Sequence, residues 1–271
     1  MLIINILKNK GRLFCGISIC FLVFSCIEND KNNLSPKSTP DSLLQGNFIF
    51  DTIKVESLSK VKKVIKIDSL EQRIIDSGLV NIQDIDSTIL VDVKYSSLDN
   101  FMKMDLYGSL NRIYLQKEVA ERLSVAQQAL KEKDSTLSLL VFDGVRPRSV
   151  QQRMWDALDT IPFHDRIKFV SNPKNGSLHS YGCAVDLSIY DYKVDTLLDM
   201  GAGYDDLRKI AYPKYEKEFL ESGELTKEQY ENRKLLRSVM RKGGFWVIAT
   251  EWWHFNAFSR EKAKELYEIV E

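Results

Sequence analysis

A largely apolar run of 12 residues, Leu13 to Phe24, follows three positive charges, Lys8, Lys10 and Arg12. Behind it, Glu28 to Asn33, Ser35-Pro36 and Thr39 to Ser42 are polar and turn-rich, with too little apolar surface to offset the entropy of ordering them. The run is short for a bilayer span, which takes about 20 residues, and its charged flank is that of an export signal. Whatever folds must therefore be built from the residues after about 48.

The sequence Val23-Phe24-Ser25-Cys26 resembles a bacterial lipobox, in which the signal is cut before a cysteine that then receives a lipid. The expectation is a lipoprotein signal over 1–25, then a lipidated Cys26 with a flexible tether over 26–47. Residues 48–78 are read as a lead-in segment of unknown role, and 79–271 as the catalytic domain. The chain would then be an exported lipoprotein, membrane-anchored through Cys26 and facing the periplasm or cell exterior. Three of the four cysteines, Cys15, Cys20 and Cys26, lie within the first tenth of the sequence, so only Cys183 is left and no disulfide framework is available. Lys and Arg total 38 against 38 Asp and Glu, and no basic block exceeds Lys60 to Lys66. No nucleic-acid partner is expected from such a balance.

In the folded portion, Thr88 to Val93 is β-branched and reads as a strand. Val119, Leu123, Ala126, Gln127 and Leu130 recur at helical spacing within Gln116 to Lys131. Leu137 to Phe142 suits a buried strand, Ser149 to Leu158 a helix, Ala184 to Tyr190 a strand, Lys227 to Lys242 a helix and Phe245 to Ala249 a further central strand. Helices and strands mixed without regular βαβ alternation predict an α+β fold with a largely antiparallel central sheet flanked by helices.

Chemistry concentrates in three segments. In Ser177 to Asp186, His179 and Asp186 are seven apart, so on one straight strand they would point to opposite faces. Gly182 between them permits a bend that lets both reach one point, as two ligands of one metal must. In Glu251-Trp252-Trp253-His254 a carboxylate and an imidazole three apart share a side on a tight bend, but not on a flat strand. A buried aromatic strand end with a solvated glutamate fits the same four residues. In Asp143-Gly144-Val145-Arg146-Pro147, Pro147 biases Arg146 toward extended backbone, which leaves a guanidinium free for an oxyanion or for an ion pair with Asp143. The chain has three histidines, and two of them fall in these motifs. His164 reads as a surface or outer residue.

Together the pattern S-x-H-x-x-G-x-A-x-D, then E-x-W-H, with D-G-x-R-P upstream, resembles the D-alanyl-D-alanine dipeptidases, zinc peptidases that share a fold with the D-Ala-D-Ala carboxypeptidases and the Hedgehog amino-terminal domain. Lys94 to Phe101 and Asp199-Met200-Gly201 are similar to the dipeptidase branch. The resemblance implies one Zn2+ per chain held by His179, Asp186 and His254, with Glu251 as general base and Arg146 stabilising the transition state. Ser177, Asp205 and Tyr95 would lie near a bound D-amino-acid dipeptide or a peptidoglycan-derived peptide. Two imidazoles and one carboxylate match a catalytic zinc set, which keeps a position open.

Two other activities fit the same residues. A carboxypeptidase trimming peptidoglycan stem peptides needs only a wider pocket. A non-catalytic wall-binding lipoprotein has no use for Glu251.

Overall fold

The computed structural model describes residues 68–271. The signal, Cys26, the tether and the lead-in as far as residue 67 lie outside the described residues.

Helix α1, Ser69–Asp76, starts where the Asp68 carboxylate accepts from the Glu71 N–H at 2.8 Å, satisfying one of the donors a helix start leaves open. Ile74 is wholly buried, and the Glu71 carboxylate takes bonds from Arg112 Nε (2.6 Å) and the Tyr114 hydroxyl (2.8 Å). The folded unit therefore includes α1, which the sequence reading left in the lead-in. Gly78 (φ +81) only turns the chain into the next element.

That element is β1, Val80–Asn81, followed by α2 (Ile82–Ile85), β2 (Leu90–Val91), β3 (Tyr114–Leu115), α3 (Lys117–Lys133), β4 (Leu137–Asp143), α4 (Arg148–Ala157), β5 (Ala184–Asp191) and β6 (Thr196–Leu197). The order closes with α5 (Glu216–Ser222), α6 (Lys227–Lys242), β7 (Trp246–Val247), β8 (His254–Asn256) and α7 (Arg260–Leu266). Strands β1 and β3 form a small antiparallel pair. The main sheet runs β2-β4-β5-β8-β7, with β6 folded back on β5, and only β2 and β4 run parallel. The α+β expectation with a largely antiparallel sheet holds.

Val119, Leu123, Ala126 and Leu130 of α3 are all buried, as their spacing predicts. Gln127 lies in the same stripe with no exposed surface, so its amide must be satisfied internally. It donates to Thr88 O, Thr88 Oγ1 and Ser138 Oγ at 3.0 Å each and accepts from the Leu139 N–H at 2.8 Å, tying the helix to β4. Helix α6 opens on a reciprocal Thr226–Gln229 capping box. Its buried Arg233 donates to Met200 O (2.6 Å) and Ile210 O (3.0 Å), stapling the 199–211 loop in place.

One strand departs from expectation. Phe245 to Ala249 reads as a central strand because it is apolar throughout, but only Trp246–Val247 pair, at the sheet edge, and Trp246 is exposed. Thr88 to Val93 similarly shortens to β2.

Candidate active site

Strand β4 ends at Asp143, where the chain bends through Gly144. A Cβ at Gly144 would lie 2.6 Å from Ile113 Cγ2 and 2.9 Å from Tyr114 O, so only glycine fits. Its carbonyl accepts from His179 Nδ1 at 2.7 Å. His179 begins a short 3-10 turn, His179–Tyr181, and Gly182 ends that turn in the left-handed region at φ +65. A side chain there would be strained and would meet Leu79 Cδ2 at 2.8 Å. The glycine bend foreseen from the sequence thus turns His179 back over the start of β5, where Asp186 lies.

Asp186 and His254 are direct partners across the β5–β8 ladder, so they share one face of the sheet. Glu251 to Trp253 forms a bend rather than strand, and β8 starts at His254. The three side chains converge: His254 Nδ1 to Asp186 Oδ1 is 2.9 Å, His179 Nε2 to His254 Nδ1 3.1 Å, and His179 Nε2 to Asp186 Oδ1 3.3 Å. These three form a group able to hold a metal ion.

The donor set fits a metal. His179 places its Nδ1–H on Gly144 O, and His254 Nε2 faces Asn256 Oδ1 at 2.8 Å. Each ring can thereby give one proton to a fixed oxygen, which leaves its other nitrogen facing Asp186 and open to a metal once any proton there is displaced. Such a cluster needs a cation at its centre, either a proton on one ring or a metal ion. Burial works against ionising Asp186, yet the charges and hydrogen bonds of His179 and His254 hold its carboxyl well below the usual range. Burial pulls His254 down, but the hydrogen bond and charge of Asp186, with the charge of Glu251, outweigh it and raise the imidazole to about 9.

Glu251 Oε2 lies 3.9 Å from His254 Nδ1, with 37% of the side chain still exposed. Desolvation raises its pKa, and the charge of Asp186 raises it further against His254 and His179. A carboxylate made more basic in this way is suited to taking a proton.

Arg146 is buried and makes the ion pair with Asp143 that was one of its two sequence readings. Its Nε and Nη2 bond Asp143 Oδ2 at 3.0 and 2.6 Å, while Nη2 also reaches within 3.7 Å of Asp186 Oδ2. Asp143 has no exposed surface, and its other oxygen accepts from the Tyr107 hydroxyl at 2.8 Å. The guanidinium stacks over the Tyr95 ring at 5.0 Å.

Tyr95 and Asp205 come together: the Tyr95 hydroxyl donates to Asp205 Oδ2 at 3.2 Å, and the Phe101 N–H to the same oxygen at 3.4 Å. Asp205 sits at φ +60, an uncommon conformation for a non-glycine residue. Burial, then the charge of Asp186, push its carboxyl up to about 8. Ser177 flanks the His179 turn and is buried, with its hydroxyl toward Ser180 Oγ at 3.3 Å rather than toward the three convergent side chains. His164 is 82% exposed beside Asp165 and takes no part.

Sequence reasoning missed four contributors: Tyr204, whose hydroxyl donates to Asp186 Oδ2 at 3.3 Å, Asn256, Tyr107 and the Gly144 carbonyl. Asn256 had a signal, since it stands two residues from His254 and so on the same face of a strand. Tyr107 and Tyr204 act from outside the three motifs, and Gly144, though inside one, acts through a carbonyl that residue type does not reveal.

A family profile described as D-ala-D-ala dipeptidase matches residues 76–269. The D-alanyl-D-alanine dipeptidase of Escherichia coli K12 is 31% identical over 181 residues, covering 65% of this chain and 83% of that protein. The protein of the same name from Streptomyces coelicolor is 31% identical over 191 residues, covering 64% and 88%, and that of Enterococcus faecium 29% over 191 residues, covering 66% and 90%. Since the profile runs from the end of α1 almost to the last residue and takes in every side chain that converges on Asp186, the chain belongs to the D-ala-D-ala dipeptidase family, Peptidase M15.

Proposed function

We propose that this protein hydrolyses D-alanyl-D-alanine, or a similar D,D-dipeptide, to free amino acids with one zinc ion per chain. The observation that carries the proposal is the convergence of His179 Nε2, Asp186 Oδ1 and His254 Nδ1 to within 3.3 Å with Glu251 beside them. Membership of the dipeptidase family supports it.

His179, Asp186 and His254 would hold the metal, which when bound supplies a Lewis acid that acidifies water and polarises a peptide carbonyl. Glu251 takes the proton from the attacking water and returns it to the departing amine. Arg146, fixed by Asp143, which Tyr107 holds in turn, offers its guanidinium to the oxyanion as charge develops there. Asp205, with Tyr95 on its carboxyl, is a buried acid that an arriving ammonium would ionise. That pairing favours a free dipeptide, whose amino end is charged, over an internal peptide bond. Ser177, buried with its hydroxyl toward Ser180, would brace the His179 turn and not touch the dipeptide.

Cys26 as a lipid anchor puts this chemistry outside the cytoplasm, where dipeptide salvage or wall-fragment trimming is the available work. Cys26→Ser would then abolish lipid labelling, and a fully processed, membrane-bound variant would refute the anchor.

The activity is tested by incubating the purified protein with D-Ala-D-Ala, L-Ala-L-Ala and a stem pentapeptide, before and after chelation. Zinc-dependent cleavage of the D,D-dipeptide alone is the expected result. Preferential cleavage of the pentapeptide would make it a carboxypeptidase instead.

A further inference from the structure

The segments that carry His179 and Arg146 are joined to the last residues of the sequence by a closed ring of main-chain hydrogen bonds. The Arg146 N–H donates to His179 O at 3.0 Å, the Val270 N–H to Ser180 O at 2.8 Å, and the Arg148 N–H to Val270 O at 2.8 Å. Three pieces of chain remote in sequence, 146–148, 179–180 and 270, thereby meet at one place.

The ring is stiff. Pro147 lies inside it with φ fixed at −53, and the Val270 side chain is 2% exposed. Neighbouring residues brace it. Arg260 of α7 donates to Gly176 O at 2.7 Å and to Asn175 O at 3.1 Å, on the loop leading into the His179 turn. Ile269 fills the space beside Gly176, where an added Cβ would lie 2.6 Å from its Cδ1. Helix α7 itself needs none of this, since its final bond, from the Tyr267 N–H to Ala263 O, closes before Val270 is reached.

We propose that Val270 is a positioning residue for the reaction: its main chain sets the His179 turn and the Arg146 segment relative to each other without touching substrate. The inference rests on the reading of His179 as a metal ligand and of Arg146 as the oxyanion partner. Both main-chain polar groups of Val270, its N–H and its carbonyl, are committed to those two segments. A shift at Ser180 would pass directly to the His179 ring, and a shift at Arg148 through Pro147 to the Arg146 guanidinium.

Val270→Pro removes the N–H that reaches Ser180 and keeps a carbonyl. Glu268→Pro is the matched control, because Glu268 is exposed and Tyr267 before it is already extended (ψ 148), as a following proline requires. Zinc affinity by chelator competition, kcat and KM are measured on both variants and the parent, with circular dichroism to establish folding. Val270→Pro should lose about three- to tenfold in zinc affinity and in kcat, with KM nearly unchanged, and Glu268→Pro should lose neither. A folded Val270→Pro that binds zinc as the parent does overturns the proposal.

Should Val270→Pro not fold, hydrogen exchange on the parent protein decides. The amides of Val270 and Arg148 must both be protected and both slow further when zinc is added, and free exchange or indifference to zinc at either refutes the ring's role. A parent protein that binds no zinc fails the metal reading and takes this proposal with it. A parent and a variant of equal affinity fail this proposal alone.

Discussion

His179 Nε2 and His254 Nδ1 stand 3.1 Å apart, each directed at the other and at Asp186 because the opposite nitrogen of each ring is bound to an oxygen of the chain. In the metal-free protein this arrangement needs a proton. His254, raised to about 9 by Asp186, is the group that carries it.

Zinc binding at pH 7 should therefore release about one proton. The sign follows from the raised pKa: below about 9 the metal must displace a proton, so apparent affinity climbs about tenfold per pH unit up to that value and then levels. Calorimetric titration in two buffers of different ionisation enthalpy reads the proton directly. Binding with no proton released at pH 7 would show that His254 is neutral in the free protein.

Glu251→Gln and His254→Ala should part company. Loss of His254 removes one of three ligands and with it both zinc and turnover. Glu251→Gln keeps the shape and the metal but loses the base, so kcat should fall by about 10²- to 10⁴-fold with KM nearly constant. Metal content and turnover are measured on the same preparations. If Glu251→Gln loses zinc as His254→Ala does, Glu251 is a ligand.

Arg146→Ala should lower kcat by about 10²- to 10³-fold. It should also destabilise the fold, because Asp143 has no exposed surface and would keep only the Tyr107 hydroxyl. Asp143→Asn is the complementary test. Arg146 stays charged but loses half of its tether, so the loss of kcat should be smaller and urea melts should still shift downward. Equal kcat in Asp143→Asn and the parent would mean that Asp143 does not position Arg146.

Arg233→Met should cost about 3 kcal/mol in stability, since Met200 O and Ile210 O lose a buried donor while Glu216 keeps its 2.7 Å bond from Arg237. The loop released carries Tyr204 and Asp205, so KM for the dipeptide should rise with zinc affinity little changed. Unfolding curves and kinetics on one preparation separate the two effects.

The helices and the long strands were legible because burial on one face writes its period into the sequence: α3, α6 and β5 lie within two residues of where spacing predicts them. The convergence of His179, Asp186 and His254 was legible because histidine is scarce in this chain and Gly182 marked the bend. Phe245 to Ala249 misled because apolar character on both faces suits a central strand, whereas here Phe245 is buried and Trp246 covers an edge. Tyr107, Tyr204 and the Gly144 carbonyl could not be found, as each contributes one oxygen across a long sequence separation, and a backbone carbonyl has no signature in residue type.

Asp186 and His254 are 68 positions apart in sequence yet occupy facing rungs of one ladder. Their separation is thus a property of the sheet's repeat and not of the chain that connects them. Apart from Tyr204, Asp205, β7 and Glu251, the connecting stretch, with its hairpin, its loop and two helices, can lengthen or shorten without altering the distance between these two side chains. A single residue inserted between His254 and Asn256, by contrast, would turn one of them to the far face of the sheet. Variation of what this site accepts is therefore free to accumulate in the connection, while the two rungs admit none.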